Sequence, residues 1–155
     1  MTGKEYLSQA YRLDQRITSK LEQVEVLRSL TRKVTAFQDG DHVSRTRNVS
    51  SLEDTVIHLM EAEDELNRQI DALVDLKREI AQHINKLENT DYQLLLEKRY
   101  LCFQSWEQIA FDMHYSSRWV HIVHSRALIC FDKILRDRNV DEKTDRVHKS
   151  AHEFT

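Results

Sequence analysis

The chain contains no proline and only two glycines, Gly3 and Gly40. Without proline every residue keeps its backbone N–H, and nothing forces a helix to kink or stop. No run of about 18 apolar residues is present, so a membrane-spanning helix is not expected. The N-terminal stretch MTGKEYLSQAYRLDQR has no apolar centre of the kind a secretory leader needs, which makes a cytoplasmic location the expectation. The two cysteines, Cys102 and Cys130, stand far apart in no metal or redox spacing. They are expected to be reduced, buried and no more than small apolar residues. There is no glycine-rich phosphate loop and no nucleophile beside a base, so neither an enzyme nor a cofactor is expected.

Leu, Glu, Lys, Arg and Gln, which lose little side-chain freedom in helices, are abundant instead. An all-α protein follows, and a charged fraction of 32% suits long helices with much exposed surface. The formal net charge of -3 is unevenly spread. Residues 1–48 carry nine basic and six acidic side chains, and residues 49–88 carry four and ten. A basic segment followed by an acidic one suits two helices lying against each other.

Tyr6, Ala10, Leu13, Ile17, Lys20, Val24, Leu27, Thr31 and Val34 alternate four and three apart, the spacing of a coiled-coil seam, and predict a helix over about 2–34. The polar stretch of 35–50, with its Asp-Gly, reads as a loop. Ser50 followed by Glu53 has the form of a capping box and predicts a second helix over 51–88. Leu52, Val56, Leu59, Glu63, Leu66, Ile70, Leu73, Lys77, Ile80, Ile84 and Leu87 again alternate four and three along it, and Leu52, Leu59, Leu66, Leu73, Ile80 and Leu87 form an unbroken seven-residue repeat. Residues 1–88 therefore read as a long antiparallel helical hairpin, a coiled coil. Placing the polar seam residues Lys20 and Glu63 opposite each other sets a register in which Tyr6 faces Lys77 as a cation–π pair. In that register Ile80, Ile84 and Leu87 pass the end of the first helix, and they must pack on the C-terminal module or on a second subunit. Two helices bury one seam and leave their other faces bare, which leaves room for a homodimer.

Residues 89–135 change period and predict three shorter helices: about 91–101 after Thr90, one from Ser105 to near Met113, and one from Ser116 or Ser117 to about Leu135. Ser105 and Gln108 stand in capping-box position. A short helix, a turn and a longer helix are the elements of a helix-turn-helix. Residues 136–155 read as a polar tail, frayed or disordered.

The string SWEQIAFDMHYSSRWVHIVHSRAL resembles region 4 of sigma-70 factors at Ser105, Glu107, Ile109, Ala110, Ser116, Val120, Arg126, Ala127 and Leu128. LLLEKRY is similar to the helix that precedes the motif there. Together with LRSLTRKVTAF, LNRQIDALVDLKREI and SSRWV, residues 4–135 resemble short Gram-positive phage and prophage sigma-like proteins related to the ArpU-type late-transcription regulators. That resemblance implies double-stranded DNA as partner, control of phage or prophage genes, bacterial RNA polymerase as a second partner, and the cytoplasm of a bacterial host cell. The chain departs from the sigma pattern in three ways. His114 stands where glycine is usual, at a position that calls for positive φ. The third helix of the module is poor in cations, and the tail matches nothing in the family.

In a recognition helix the first turns and one outward stripe meet base edges. Val120, Val123, Ala127 and Phe131 should face inward. Ser117, Arg118, His121, Ile122 and Ser125 should face outward as candidate DNA contacts. Arg118 could grip a guanine edge through two donors, and Ile122 could touch a thymine methyl. Lys98, Arg99 and the amide end of the helix at Ser105 are candidates for phosphate contacts. Trp106 should close the gap between the module's helices, and Trp119 should be partly buried packing. His121 and His124 lack the further ligands of a tetrahedral site, so no metal is expected.

The reading that follows is a sequence-specific DNA-binding regulator of transcription. Two others fit the same elements: a small terminase subunit, which would form a ring, and a coiled-coil adaptor that binds a protein partner.

Overall fold

The computed structural model describes residues 1–37 and 45–152, with the side chains of 1–36 and 50–138. The protein is all-α: α1 (Gly3–Phe37), α2 (Arg45–Ile84), α3 (Thr90–Leu96) with a wider π turn (Glu97–Leu101) continuing it, α4 (Trp106–Asp112) and α5 (Ser117–His152). Among the described residues there is no strand, and no helix is long and apolar enough to cross a membrane.

Several helix ends are set by single side chains. At the start of α1, Glu5 N–H donates to Thr2 Oγ1 (3.2 Å) and Thr2 N–H donates back to the Glu5 carboxylate (2.7 Å). This reciprocal pair satisfies two donors that the helix itself cannot. The backbone N–H of Gly3 donates to Asp132 Oδ1 at 2.5 Å, so a carboxylate on α5 also faces the positive end of α1. Asn89 caps α3 by accepting from the N–H groups of Asp91 (2.9 Å) and Tyr92 (3.2 Å).

The observed boundaries differ from the expected ones most in three places, while α1 runs on to Phe37. The expected cap at Ser50 is not a helix start: α2 begins at Arg45 and runs through Ser50. One exposed serine inside a long helix loses too little to stop it. The expected loop of 35–50 falls partly on residues 38–44, which lie outside the described residues. At its other end α2 stops at Ile84 rather than 88, where Lys86 N–H turns back to the His83 carbonyl and Leu87 N–H to that of Ile84. In place of a tail from residue 136, α5 continues unbroken to His152.

Contacts group the chain into two compact units, Arg12–Asp75 and Met1–Tyr11 with Leu76–Thr155. In the first, Ile17, Val24 and Leu66 are buried, with Leu13, Leu59, Ala62 and Leu73 packed against them. Leu13, Ile17, Val24, Leu59, Leu66 and Leu73 are seam positions, as their spacing implies, but Ala62 is not. The expected seam residues Val56 and Ile70 are 36% and 37% exposed, and the covered line of α2 passes through Ala62 and Gln69 instead. The charge pairing differs from the expected one: Arg28, not Lys20, donates to Glu63, through Nη2 at 2.8 Å and Nε at 3.1 Å. The long guanidinium arm reaches a carboxylate beside the seam that the heptad count alone does not pair with it.

The second unit is the larger core. Leu7, Ala10, Ile80, Ile84, Leu87, Leu95, Leu96, Ile109, Val120, Val123, Ala127 and Phe131 are all buried there. Ile80, Ile84 and Leu87 thus pack in the unit that contains the C-terminal module. Lys77 Nζ sits 4.4 Å from the centre of the Phe103 ring, not over Tyr6 as expected. The Tyr6 hydroxyl is taken up elsewhere, donating to Glu79 Oε1 at 2.8 Å.

That hydroxyl belongs to a part-buried polar network. His83 Nδ1 lies 2.7 Å from the Glu79 carbonyl, which can only accept, so Nδ1 carries the proton. Nε2 is then free to accept from Arg138 Nη1 (3.3 Å), which also donates to Glu79 Oε1 (3.0 Å). Burial and the Glu79 carboxylate push the Tyr6 hydroxyl up to about 12. Bonds from Tyr6 and Arg138 hold the Glu79 carboxyl below its usual range. Arg138, expected in a loose tail, anchors α5 to α2 and to α1 instead.

Candidate nucleic-acid interface

The residues from Leu95 to Phe131 build one face from three elements. The π turn widens the end of α3, marked by Cys102 N–H reaching back five residues to the Glu97 carbonyl (3.0 Å). It ends at Phe103, whose φ is 56°. A non-glycine residue in this left-handed region needs compensation. Here the ring supplies it, lying against Tyr11 (5.6 Å between centroids) and under the Lys77 ammonium. Cys102, expected to be buried, is exposed at this turn.

Ser105 then caps α4 by accepting from Gln108 N–H at 3.2 Å. The Gln108 amide does not complete the box, because it donates to Asp112 Oδ1 at 2.7 Å. The far end of α4 closes with a Schellman pattern: Tyr115 N–H donates to the Ala110 carbonyl (2.8 Å) and His114 N–H to that of Phe111 (3.3 Å). His114 has the positive φ, 56°, that its place in the turn calls for. Ser116 then caps α5 by accepting from Trp119 N–H at 3.1 Å.

The inward stripe of α5 is Val120, Val123, Ala127 and Phe131, between 0% and 4% exposed. Ser117, Arg118, His121 and Ser125 are exposed on the other side, and Ile122 is half-buried. Ser117, His121 and Ser125 repeat at four-residue intervals and share one line along the helix. The Ser125 hydroxyl donates to the His121 carbonyl at 3.0 Å. Arg118 has no ion pair among the described residues.

Trp106 joins α4 to α5, its ring 4.8 Å from that of His121 and 4.6 Å from that of His124. The Arg99 guanidinium covers it at 4.5 Å. His124 is buried, with Nε2 2.8 Å from Tyr100 Oη. Burial, with the charges of Lys4, Arg99 and His121, lowers its pKa to about 4. The ring is therefore neutral near pH 7 and cements the module instead of reaching outward. Burial pushes the Tyr100 hydroxyl up. Among the described residues no cluster of His, Cys, Asp and Glu could hold a metal ion.

The structure does not bring all the candidate cations to this face. Lys98 Nζ pairs with Asp112 Oδ2 at 3.1 Å, and that bond with the Gln108 amide holds the Asp112 carboxyl low. Arg99 Nη1 donates to the Gln104 carbonyl at 2.9 Å as well as covering Trp106. Both side chains tie α3 and the π turn to α4. Trp119 is 40% exposed, and the Arg126 guanidinium stands 5.3 Å over its ring. The seven-residue spacing of Trp119 and Arg126, two helical turns, was the signal for that pair, and it places both on the outward side with Arg118.

Residues 38–131 match the family described as Protein of unknown function (DUF1492), and the chain belongs to that family. Neither a curated protein nor a solved structure matches it.

Proposed function

We propose that this DUF1492 member is a sequence-specific DNA-binding regulator of transcription, with α5 as the helix that enters the major groove of double-stranded DNA. The observation that carries the reading is the division of α5 along its length. Val120, Val123, Ala127 and Phe131 are sealed into the module, while Ser117, Arg118, His121 and Ser125 lie open at its first turns. A helix used this way presents its N-terminal side chains to base edges while its neighbour fixes the angle. The capped α4, the closed turn at His114 and the Ser116 cap fit that arrangement.

Arg118, exposed near the start of α5, would read a guanine through two donors. His121 and Ser117 suit base or phosphate contacts, and Arg126 with Trp119 extends the same side. The module between residues 89 and 135 is electrically balanced, with five basic and five acidic side chains. Affinity would then rest on specific contacts more than on a general attraction to phosphate. The resemblance to sigma region 4 and to ArpU-type regulators supports a role on phage or prophage genes beside bacterial RNA polymerase. A homodimer would carry two such helices to two related half-sites.

The test is binding of the full chain to tiled fragments from its own genomic neighbourhood at several salt concentrations, with Arg118→Ala alongside. Tight binding to one intergenic fragment, weakened by about 1–3 kcal/mol in the variant, is expected. Equal weak binding to every fragment, unchanged by the substitution, overturns the reading. A stable ring of many copies would point to DNA packaging instead.

A further inference from the structure

Within the unit formed by residues 12–75, Ile17, Val24 and Leu66 are the buried apolar side chains among the described residues. That is a thin core for two such long helical segments, whose order must come from packed faces. A second apolar stripe, which takes in the expected seam positions Val56 and Ile70, runs along α2 beside the buried line. Val56, Met60, Ile70 and Val74 fall at the alternating four and three spacing of a heptad seam, with Glu63 and Asn67 at the intervening positions. They are 36%, 60%, 37% and 50% exposed.

The Arg28–Glu63 pair (2.8 Å) shows which side of α1 borders this stripe. Leu21 precedes Arg28 by one heptad and Ile70 follows Glu63 by one heptad. In antiparallel helices those two therefore flank the same side of the pair. Leu21 is 48% exposed. The five apolar side chains form one long face of heptad-patterned positions, the kind of surface that another helical pair covers.

Charge indicates what covers it. In this unit the α1 segment, residues 12–36, has six basic and three acidic side chains, and the α2 segment, residues 50–75, has one basic and eight acidic. We propose that the face is occupied by a second copy of this chain, related by a two-fold axis that runs along the helices. That axis lays the basic α1 segment of each copy across the acidic α2 segment of the other, and all neighbouring helices run antiparallel. An axis perpendicular to the helices would stack the two acidic α2 segments on each other, which like-charge repulsion opposes. The product is a symmetric four-helix bundle with a self-complementary interface.

The experiment is sedimentation of the full chain without DNA, over a wide concentration range at low and high salt. A species of twice 18.5 kDa is expected, weakening as salt screens the paired charges. The double variant Met60→Glu with Val74→Glu is expected to sediment at 18.5 kDa with its helical circular dichroism unchanged, because both side chains are at least half exposed. Val26→Glu, an exposed apolar residue on the side of α1 turned away from α2, is expected to remain dimeric. A wild-type chain that is monomeric at every concentration overturns the proposal. So does a larger closed assembly, a double variant that still dimerises, or a dimer dissolved by Val26→Glu and not by the pair on α2.

Discussion

Tyr6 Oη and Glu79 Oε1, 2.8 Å apart, join the first turns of α1 to the last turns of α2. Arg138 from α5 shares the same carboxylate oxygen at 3.0 Å. One buried hydroxyl thus helps to hold three helices of one unit together. Tyr6→Phe keeps the ring and removes the donor, leaving Glu79 with one fewer partner. A loss of about 1–3 kcal/mol in urea unfolding is expected, as for a hydrogen bond to a charged group. A loss within experimental error would show that Arg138 alone satisfies the carboxylate.

Gly3 is required by close approach. A Cβ there would lie 2.6 Å from Asp132 Oδ1 and 3.0 Å from Phe131 Cδ1. Gly3→Ala would push the Asp132 carboxylate off the Gly3 N–H and press on a fully buried ring. Destabilisation of about 1–3 kcal/mol is expected, although alanine is the better helix former. Thermal unfolding of the variant is the check, and a gain in stability would mean that α5 yields without cost.

The two left-handed residues should respond oppositely to glycine. His114 is exposed and makes its turn with backbone bonds alone, so His114→Gly should stabilise by about 0.5–1 kcal/mol through relief of strain. Phe103→Gly relieves the same strain but removes the ring that meets Tyr11 and Lys77, and it should destabilise. Equal effects of the two substitutions on the unfolding midpoint would refute this distinction.

His124 makes stability depend on pH in a definite direction. Its folded pKa of about 4 lies below the ordinary value of 6.5, so the unfolded chain binds its proton first as pH falls. The contribution is fully present above pH 6.5, declines as pH drops, and stops changing below about 4. Glu79 is also depressed, from 4.5, so its loss begins lower. Urea midpoints between pH 7 and 5 should fall in the wild type and flatten in His124→Gln, which can still accept from Tyr100. A slope unchanged by the substitution would assign it to another group.

Buried Gln69 Oε1 has no hydrogen-bond partner among the described residues, while its Nε2 donates to Glu65 at 3.0 Å. Gln69→Leu should raise stability by about 1 kcal/mol, because an unsatisfied buried acceptor is costly and an apolar side chain of similar length needs no partner there. A clear loss of stability would imply that the Glu65 bond outweighs the orphaned oxygen.

The amino-acid sequence by itself determined the helical class, the covered seven-residue repeat from Leu52 to Leu87, and the inward stripe of α5. All of these follow from local periodicity and from the absence of proline, and a residue's place on its own helix needs no knowledge of the rest of the chain. The need for positive φ at His114 was equally local, because a turn between two helices constrains its own backbone. The tertiary structure alone decided the partners. Glu63 went to Arg28 and Lys77 to Phe103, because exposed charges on long arms choose among near-equal neighbours. Lys98 and Arg99 were drawn to Asp112 and Trp106, and His124 was buried against Tyr100, in each case by residues on another helical element. The continuation of α5 to His152 was illegible in its polar composition; contacts such as those of Arg138 with Glu79 and His83 help hold it. Periodicity is a property of a segment, whereas pairing and burial are properties of the assembled fold.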